Sequence, residues 1–230
     1  MRNIFSKSTD FSRDVFRNIV SLREQQDLFD DLSDGDTELS GIAMETEARV
    51  KENIPLGLVE RGFHYSQAIG YPFETQPFMA SRYGDGKFGV WYGSADCMET
   101  TIFETTYHMI RDELNIEGLD EIVVRERAVY LVYCEAILLD MVGREKDFPL
   151  LVANDYSFTQ TIGRRLAQER HPGLLAPSAR CKGKNIVIFN PDVLEGPRNH
   201  CYLTYRLDPA TREVKVERQP GEFLMTVDFV

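Results

Sequence analysis

The sequence predicts an α+β protein with a largely antiparallel sheet. Two observations carry this. Segments with strand character outnumber helical ones and do not alternate with them, which disfavours a doubly wound parallel sheet. The two clearest helices also stand among runs rich in Val, Ile, Tyr and Phe. The 230 residues suffice for one generous domain, or a domain with an appended segment. A hydrophobic share of 43% and a charged share of 27% are ordinary for a globular chain.

Residues 1–55 read as an acidic, helical N-terminal segment packed on a main body at 56–230. Phe11, Val15, Phe16, Ile19 and Val20 recur close to the helical period. LREQQDLFDDL continues the pattern to Ser33-Asp34-Gly35-Asp36, a clear break, and a second helix is predicted over 37–51. From Gly62 the composition turns to β. FHYSQAIGYPF reads as an aromatic strand ending at Pro72, and KFGVWYGS as a short strand. IVVRERAVYLVYC and EAILLDMV are two further predicted strands, followed later by NIVIFNP, CYLTYRL, EVKVERQ and EFLMTV. A helix begins near Asp96, where Asp96 and Glu99 have capping-box spacing, and runs to about Leu114. Another starts near Ser157, carries Phe158, Ile162 and Leu166 at four-residue spacing, and stops at His171-Pro172-Gly173.

Charge and motif content remove several classes. With 26 basic and 37 acidic residues the net charge is −11, which argues against a general nucleic-acid binder. An anionic ligand must therefore be met by local arginines. An acidic surface suits a basic protein partner equally well. The four cysteines form no CxxC pair, so no zinc site is expected, and they read as free thiols. No apolar run is long enough for a membrane span, and the polar N-terminus has no signal-peptide core, so a cytoplasmic location is expected. Neither GxGxxG nor GxxxxGK[ST] occurs, nor a G-x-S-x-G elbow.

The stretch Ser81–His108 concentrates what chemistry remains. On its helix, Ile102, Phe103, Thr106, Tyr107 and Ile110 mark the buried side, while Glu104, His108 and Arg111 form an adjoining stripe. That stripe is either a solvated face or the wall of a pocket floored by the preceding aromatic strand. Arg82, just before a Gly-Asp-Gly turn, is a surface residue or a phosphate clamp, because guanidinium matches phosphate oxygens bidentately. Tyr83 and Tyr92 are core aromatics or stack on a base. Ser178, in APSAR, is a turn serine or a hydroxyl that binds a ligand phosphate or ribose, with Arg180 as its electrostatic companion. His64 and Tyr65 are structural residues of the first aromatic strand or ligand contacts.

The ordered set SRYGDGKFGVWYGS, ETTIFETTYH and GLLAPSARCKGKNIVIFNP resembles the RES domain family over about residues 60–192. The resemblance implies an ADP-ribosyltransferase-like fold with a split, largely antiparallel sheet. It also implies a toxin of a toxin–antitoxin pair that consumes NAD+ at the nicotinamide–ribose bond. The partner would be a helical Xre-class antitoxin covering the active-site entrance, and no metal would be required. Arg82 then matches the cofactor-holding Arg, Tyr92 the strand-end Tyr, Glu104 the Glu and Ser178 the Ser. Tyr83, His64 and Tyr65 are expected against the cofactor. Many family members carry an Arg in the first strand where this chain has Phe63-His64-Tyr65, so either His64 or Arg61 is expected to take that contact or the pyrophosphate is gripped differently. Inorganic phosphate, water or a protein side chain could accept the ADP-ribose. A mono-ADP-ribosyltransferase and a catalytically idle binding protein are the alternatives.

Overall fold

The computed structural model describes residues 4–21, 66–74, 76–218 and 221–228. Its strands are β1 (Ser8–Val20), β2 (Trp91–Ser94), β3 (Val123–Asp140), β4 (Gly173–Pro177), β5 (Lys184–Ile188), β6 (Leu194–Asp208), β7 (Glu213–Glu217) and β8 (Phe223–Asp228). The helices are α1 (Tyr71–Glu74), which continues a π-helical turn at Ser66–Gly70, α2 (Met98–Glu113) and α3 (Ser157–Gln168). The strands form one eight-stranded sheet in the order β1-β2-β5-β4-β3-β6-β7-β8, with a further β1–β3 pairing. The fold is therefore α+β, and among these ladders only β3–β4 is parallel.

Strand β3 organises the sheet by belonging to both of its halves. Its N-terminal part pairs with β6, and its last residues, Leu139 and Asp140, pair with β4. Because β1 pairs with both β2 and β3, the strands β1, β2, β5, β4 and β3 close on themselves, while β6, β7 and β8 extend away as a meander. Closure leaves fewer open edges. Helix α3 covers the closed part, with Ile162 and Leu166 packed among Leu174, Ala176 and Val187. Helix α2 covers the meander, with Met98, Ile102 and Ile110 packed among Val129, Leu203, Tyr205, Val214 and Val216. Tethering two helices to the two halves of one sheet leaves a cleft between α2 and β2.

Two predicted elements are corrected. The segment 8–20 is a 13-residue strand, not a helix, and it pairs with β3 from Ser8↔Leu139 to Val20↔Arg127. Residues 66–73, predicted as part of the aromatic strand, are helical. Ala68 and Ile69 satisfy their apolar character by burial in the core, where the Ala68 carbonyl accepts a 2.6 Å bond from Trp91 Nε1. The two strands predicted over 122–142 are one 18-residue strand, since no turn residue separates Cys134 from Glu135. The helices predicted within 22–51 lie outside the described residues, as do Arg61, Phe63, His64 and Tyr65. The four cysteines are free, and burial pushes the Cys134 thiol up to about 12.

Candidate active site

A cavity of about 460 Å³ opens between α2, β2 and the segment 71–92, a size suited to a small organic ligand. The helix stripe expected from the sequence faces it, because Glu104, His108 and Arg111 all line its wall. So do Arg82, Tyr83 and Tyr92 from the preceding turn and strand. Of the two roles open to that stripe, the structure adopts the pocket wall. Although Asp96 and Glu99 have capping-box spacing, Asp96 Oδ1 instead accepts from the Cys97 N–H at 2.9 Å and from the Thr100 hydroxyl at 3.1 Å. Asp96 Oδ2 accepts from the Lys184 N–H at 3.0 Å, which fixes the start of α2 against β5.

That anchoring sets the position of Glu104. Its Oε1 accepts two hydrogen bonds, from Ser178 Oγ at 2.7 Å and from Asn185 Nδ2 at 2.6 Å. Ser178 Oγ itself accepts from the backbone N–H groups of Arg180 at 3.0 Å and Cys181 at 3.2 Å, so its own proton is committed to the carboxylate. Ser178 is buried and does not line the cavity. Its hydroxyl holds Glu104 from outside the cavity wall. Charge-assisted bonds of this kind hold a carboxylate in one orientation. Glu104 Oε2 is the oxygen left without a protein partner among the described residues.

Arg82 is held by its surroundings with one nitrogen to spare. Its Nη1 donates to the carbonyls of Leu151 at 3.3 Å and Ala153 at 2.6 Å, and the guanidinium lies 4.6 Å from the Tyr156 ring centroid. Its Nη2 is buried without a partner among the described residues. A donor so placed on a cavity wall suits an anionic acceptor. The Tyr92 hydroxyl is occupied structurally. It accepts from the Tyr83 N–H at 2.7 Å and shares a 2.8 Å bond with Ser81 Oγ, pinning the turn that carries Arg82. Tyr83 is 1% exposed and packs in the core beneath α3, while its hydroxyl has no partner among the described residues. Burial raises the pKa of both phenols, so both stay protonated at neutral pH.

Three contributors escape a reading of the sequence alone. Asn185 is hidden in a strand whose apolar neighbours dominate the pattern, and its place as the polar residue opening NIVIF is the only signal. Arg17 and Asn18 enter the cavity wall from β1, the segment whose apolar spacing predicts a helix. Arg180, expected beside Ser178, stacks its guanidinium on the Tyr107 ring, 3.2 Å from the centroid. Burial lowers the pKa of the His108 imidazole, with Arg111 adding in the same direction, so at neutral pH it is uncharged.

The site thus brings an oriented carboxylate together with arginine and tyrosine on the wall of one cavity of an α+β fold. The chain belongs to the RES domain family, whose model matches residues 56–208. A solved structure described as the crystal structure of the M. tuberculosis MbcT-MbcA toxin-antitoxin complex is similar over 88% of this chain and 88% of that chain, at 11% identity and a TM-score of 0.45. Comparison with curated proteins finds no match. Among the described residues no helix is long and apolar enough to cross a membrane.

Proposed function

We propose that this chain is an NAD+-consuming toxin that breaks the nicotinamide–ribose bond and is neutralised by an Xre-class antitoxin seated over the cavity. The observation that carries the reading is Glu104, on the wall of a small-ligand cavity and fixed through one oxygen by Ser178 and Asn185.

Heterolysis of an N-glycosidic bond places positive charge on the ribose as neutral nicotinamide departs. A fixed carboxylate stabilises that charge without reorganising, and can orient the incoming nucleophile. Asn185 and Ser178 hold Glu104 in place through Oε1, which leaves Oε2 for the reacting centre. Arg82 supplies a buried donor for a phosphate oxygen, and Tyr156, already stacked on Arg82, limits where the guanidinium can go. His108, uncharged and one turn from Glu104, offers a base to the attacking group.

Purified protein without its antitoxin should release free nicotinamide from NAD+. Glu104→Gln should lower the rate by roughly 100-fold or more while leaving the thermal midpoint within a few degrees. Release that requires inorganic phosphate identifies a phosphorylase, release in water alone a glycohydrolase, and label on another protein a transferase. No release from folded, antitoxin-free protein would overturn the enzymatic reading in all three forms.

A further inference from the structure

The connection between β4 and β5, residues 178–183, lies along one stripe of α2, and its contacts run in helical register. The Lys184 N–H donates to Asp96 Oδ2 at 3.0 Å, just before the helix begins. Gly183 presses on Thr100, where an added Cβ would overlap the threonine side chain. Ser178 Oγ donates to Glu104 Oε1 at 2.7 Å. The Arg180 guanidinium stacks on the Tyr107 ring, 3.2 Å from its centroid. Positions 96, 100, 104 and 107 follow one another in steps of four, four and three, so one face receives the whole loop.

The last of these contacts is held against a cost. Arg180 Nε and Nη2 are buried without a partner among the described residues. Unmet buried donors destabilise a fold, and a ring face offsets only part of that. The cavity does not supply the compensation, because neither Arg180 nor Tyr107 lines it. What the position does supply is control of Ser178. The N–H groups of Arg180 and Cys181 donate to Ser178 Oγ at 3.0 and 3.2 Å, and so turn its own proton onto Glu104. The Ser178 backbone is fixed separately, by its N–H on the Gly183 carbonyl at 2.9 Å, which leaves the direction of the hydroxyl open. The amides that set this direction sit at the loop tip, and the Arg180 side chain ties that tip to α2.

We propose that Arg180 is a positioning residue: stacked on Tyr107, it seats the 178–183 loop on α2 and directs the Ser178 hydroxyl onto Glu104. The inference deepens the proposed function, and rests on it only for the chemistry that Glu104 performs. A planar, delocalised guanidinium suits a ring face, so the role belongs to the stack and is lost from either side of it.

Two measurements on the full chain test this: exchange of the Arg180 and Cys181 amide protons, followed by NMR, and steady-state nicotinamide release. Arg180→Leu and Tyr107→Leu break the stack from its two sides, and the second keeps the Arg180 charge. Each should speed the amide exchange roughly tenfold or more. Each should also lower kcat roughly tenfold with KM nearly unchanged. Tyr107→Phe keeps the ring and should recover both. Because Arg180 acts through Ser178, adding Arg180→Leu to Ser178→Ala should bring no further loss. The two leucine variants lie on different elements, so if one fails to fold the other decides. Losses that multiply in the double variant, or a raised KM at unchanged kcat, would put Arg180 on the ligand and overturn the proposal. So would wild-type amide exchange in both leucine variants, whether or not the thermal midpoint falls, since the stack would then be a strut for stability alone. A folded wild type that releases no nicotinamide would refute the enzymatic reading. Faster exchange in both leucine variants, recovered in Tyr107→Phe, would even then uphold the hold of Arg180 on Ser178.

Discussion

Ser178 is placed to act on the site through Glu104. Its hydroxyl is loaded with two backbone donors and turned toward Glu104. Ser178→Ala removes one of the two donors on Oε1 and leaves Asn185 to orient the carboxylate alone. The expected result is roughly a tenfold fall in kcat, about 1.4 kcal/mol, with KM for NAD+ nearly unchanged, and recovery in Ser178→Thr. Steady-state nicotinamide release measures this, and a rise in KM without loss of kcat would place Ser178 on the ligand instead. His108 makes a second residue-scale prediction. Burial holds its folded-state pKa below the ordinary value of about 6.5. The unfolded chain therefore takes up the proton first as pH falls, and stability present above that value is lost as pH drops through it toward the lower folded value. His171, lowered in the same direction by burial, adds to the effect. Thermal midpoints measured from about pH 7.5 to about 5.5 should fall, and His108→Asn should shrink that fall. An identical fall in the variant would show that His108 does not contribute.

At the scale of elements, helix α3 holds the Arg82 turn in place by contact with its backbone. Gly163 sits where α3 meets Tyr83, and a methyl group there would fall onto the Tyr83 carbonyl. Helix propensity alone would favour alanine in that position by about 1 kcal/mol. Packing reverses the sign, because the obstructing atom is backbone and cannot swing away. Gly163→Ala should therefore lower the thermal midpoint and weaken catalysis by displacing Arg82, although residue 163 does not line the cavity. A stabilised and fully active variant would show that the Arg82 turn is not held by this contact. The elements also show what was legible in the sequence. The stripe Glu104–His108–Arg111 is readable because Ile102, Thr106 and Ile110 mark the buried side of α2, and strand β7 because its buried and exposed residues alternate. Strand β1 is not. Phe11, Val15 and Ile19 share one face and pack in the core, but Arg13 and Arg17 occupy the positions between them. Phe16 and Asn18, on the other face, meet α2 and Tyr205. A strand with arginines interrupting its apolar face, and covered on the other face only at Phe16 and Asn18, shows a near-helical spacing. The same arginine that disguises β1 is the one that reaches the cavity.

At the scale of the whole molecule, the closure of β1 onto β2 and β3 bears on where the functional unit begins. The family match starts at residue 56, and the sequence composition also divides there, yet β1 lies upstream and is paired with β3 along its whole length. Without it, β3 would expose the backbone groups from Arg127 to Leu139 that now form that ladder. Val132, Tyr130 and Cys134 would lose the cover of Phe11 and Val15 in their shared core cluster. A long, apolar, unpaired edge of this kind recruits other chains. The cavity would lose Arg17 and Asn18 from its wall at the same time. A chain beginning at residue 56 is therefore expected to aggregate or to elute as large assemblies in size-exclusion chromatography, and to lack nicotinamide release. Adding residues 4–21 back as a separate peptide should restore part of the folded signal if strand pairing is the reason. A monomeric, cooperatively unfolding 56–230 chain with full activity would show instead that β1 is an accessory, and that the sheet closes well enough without it.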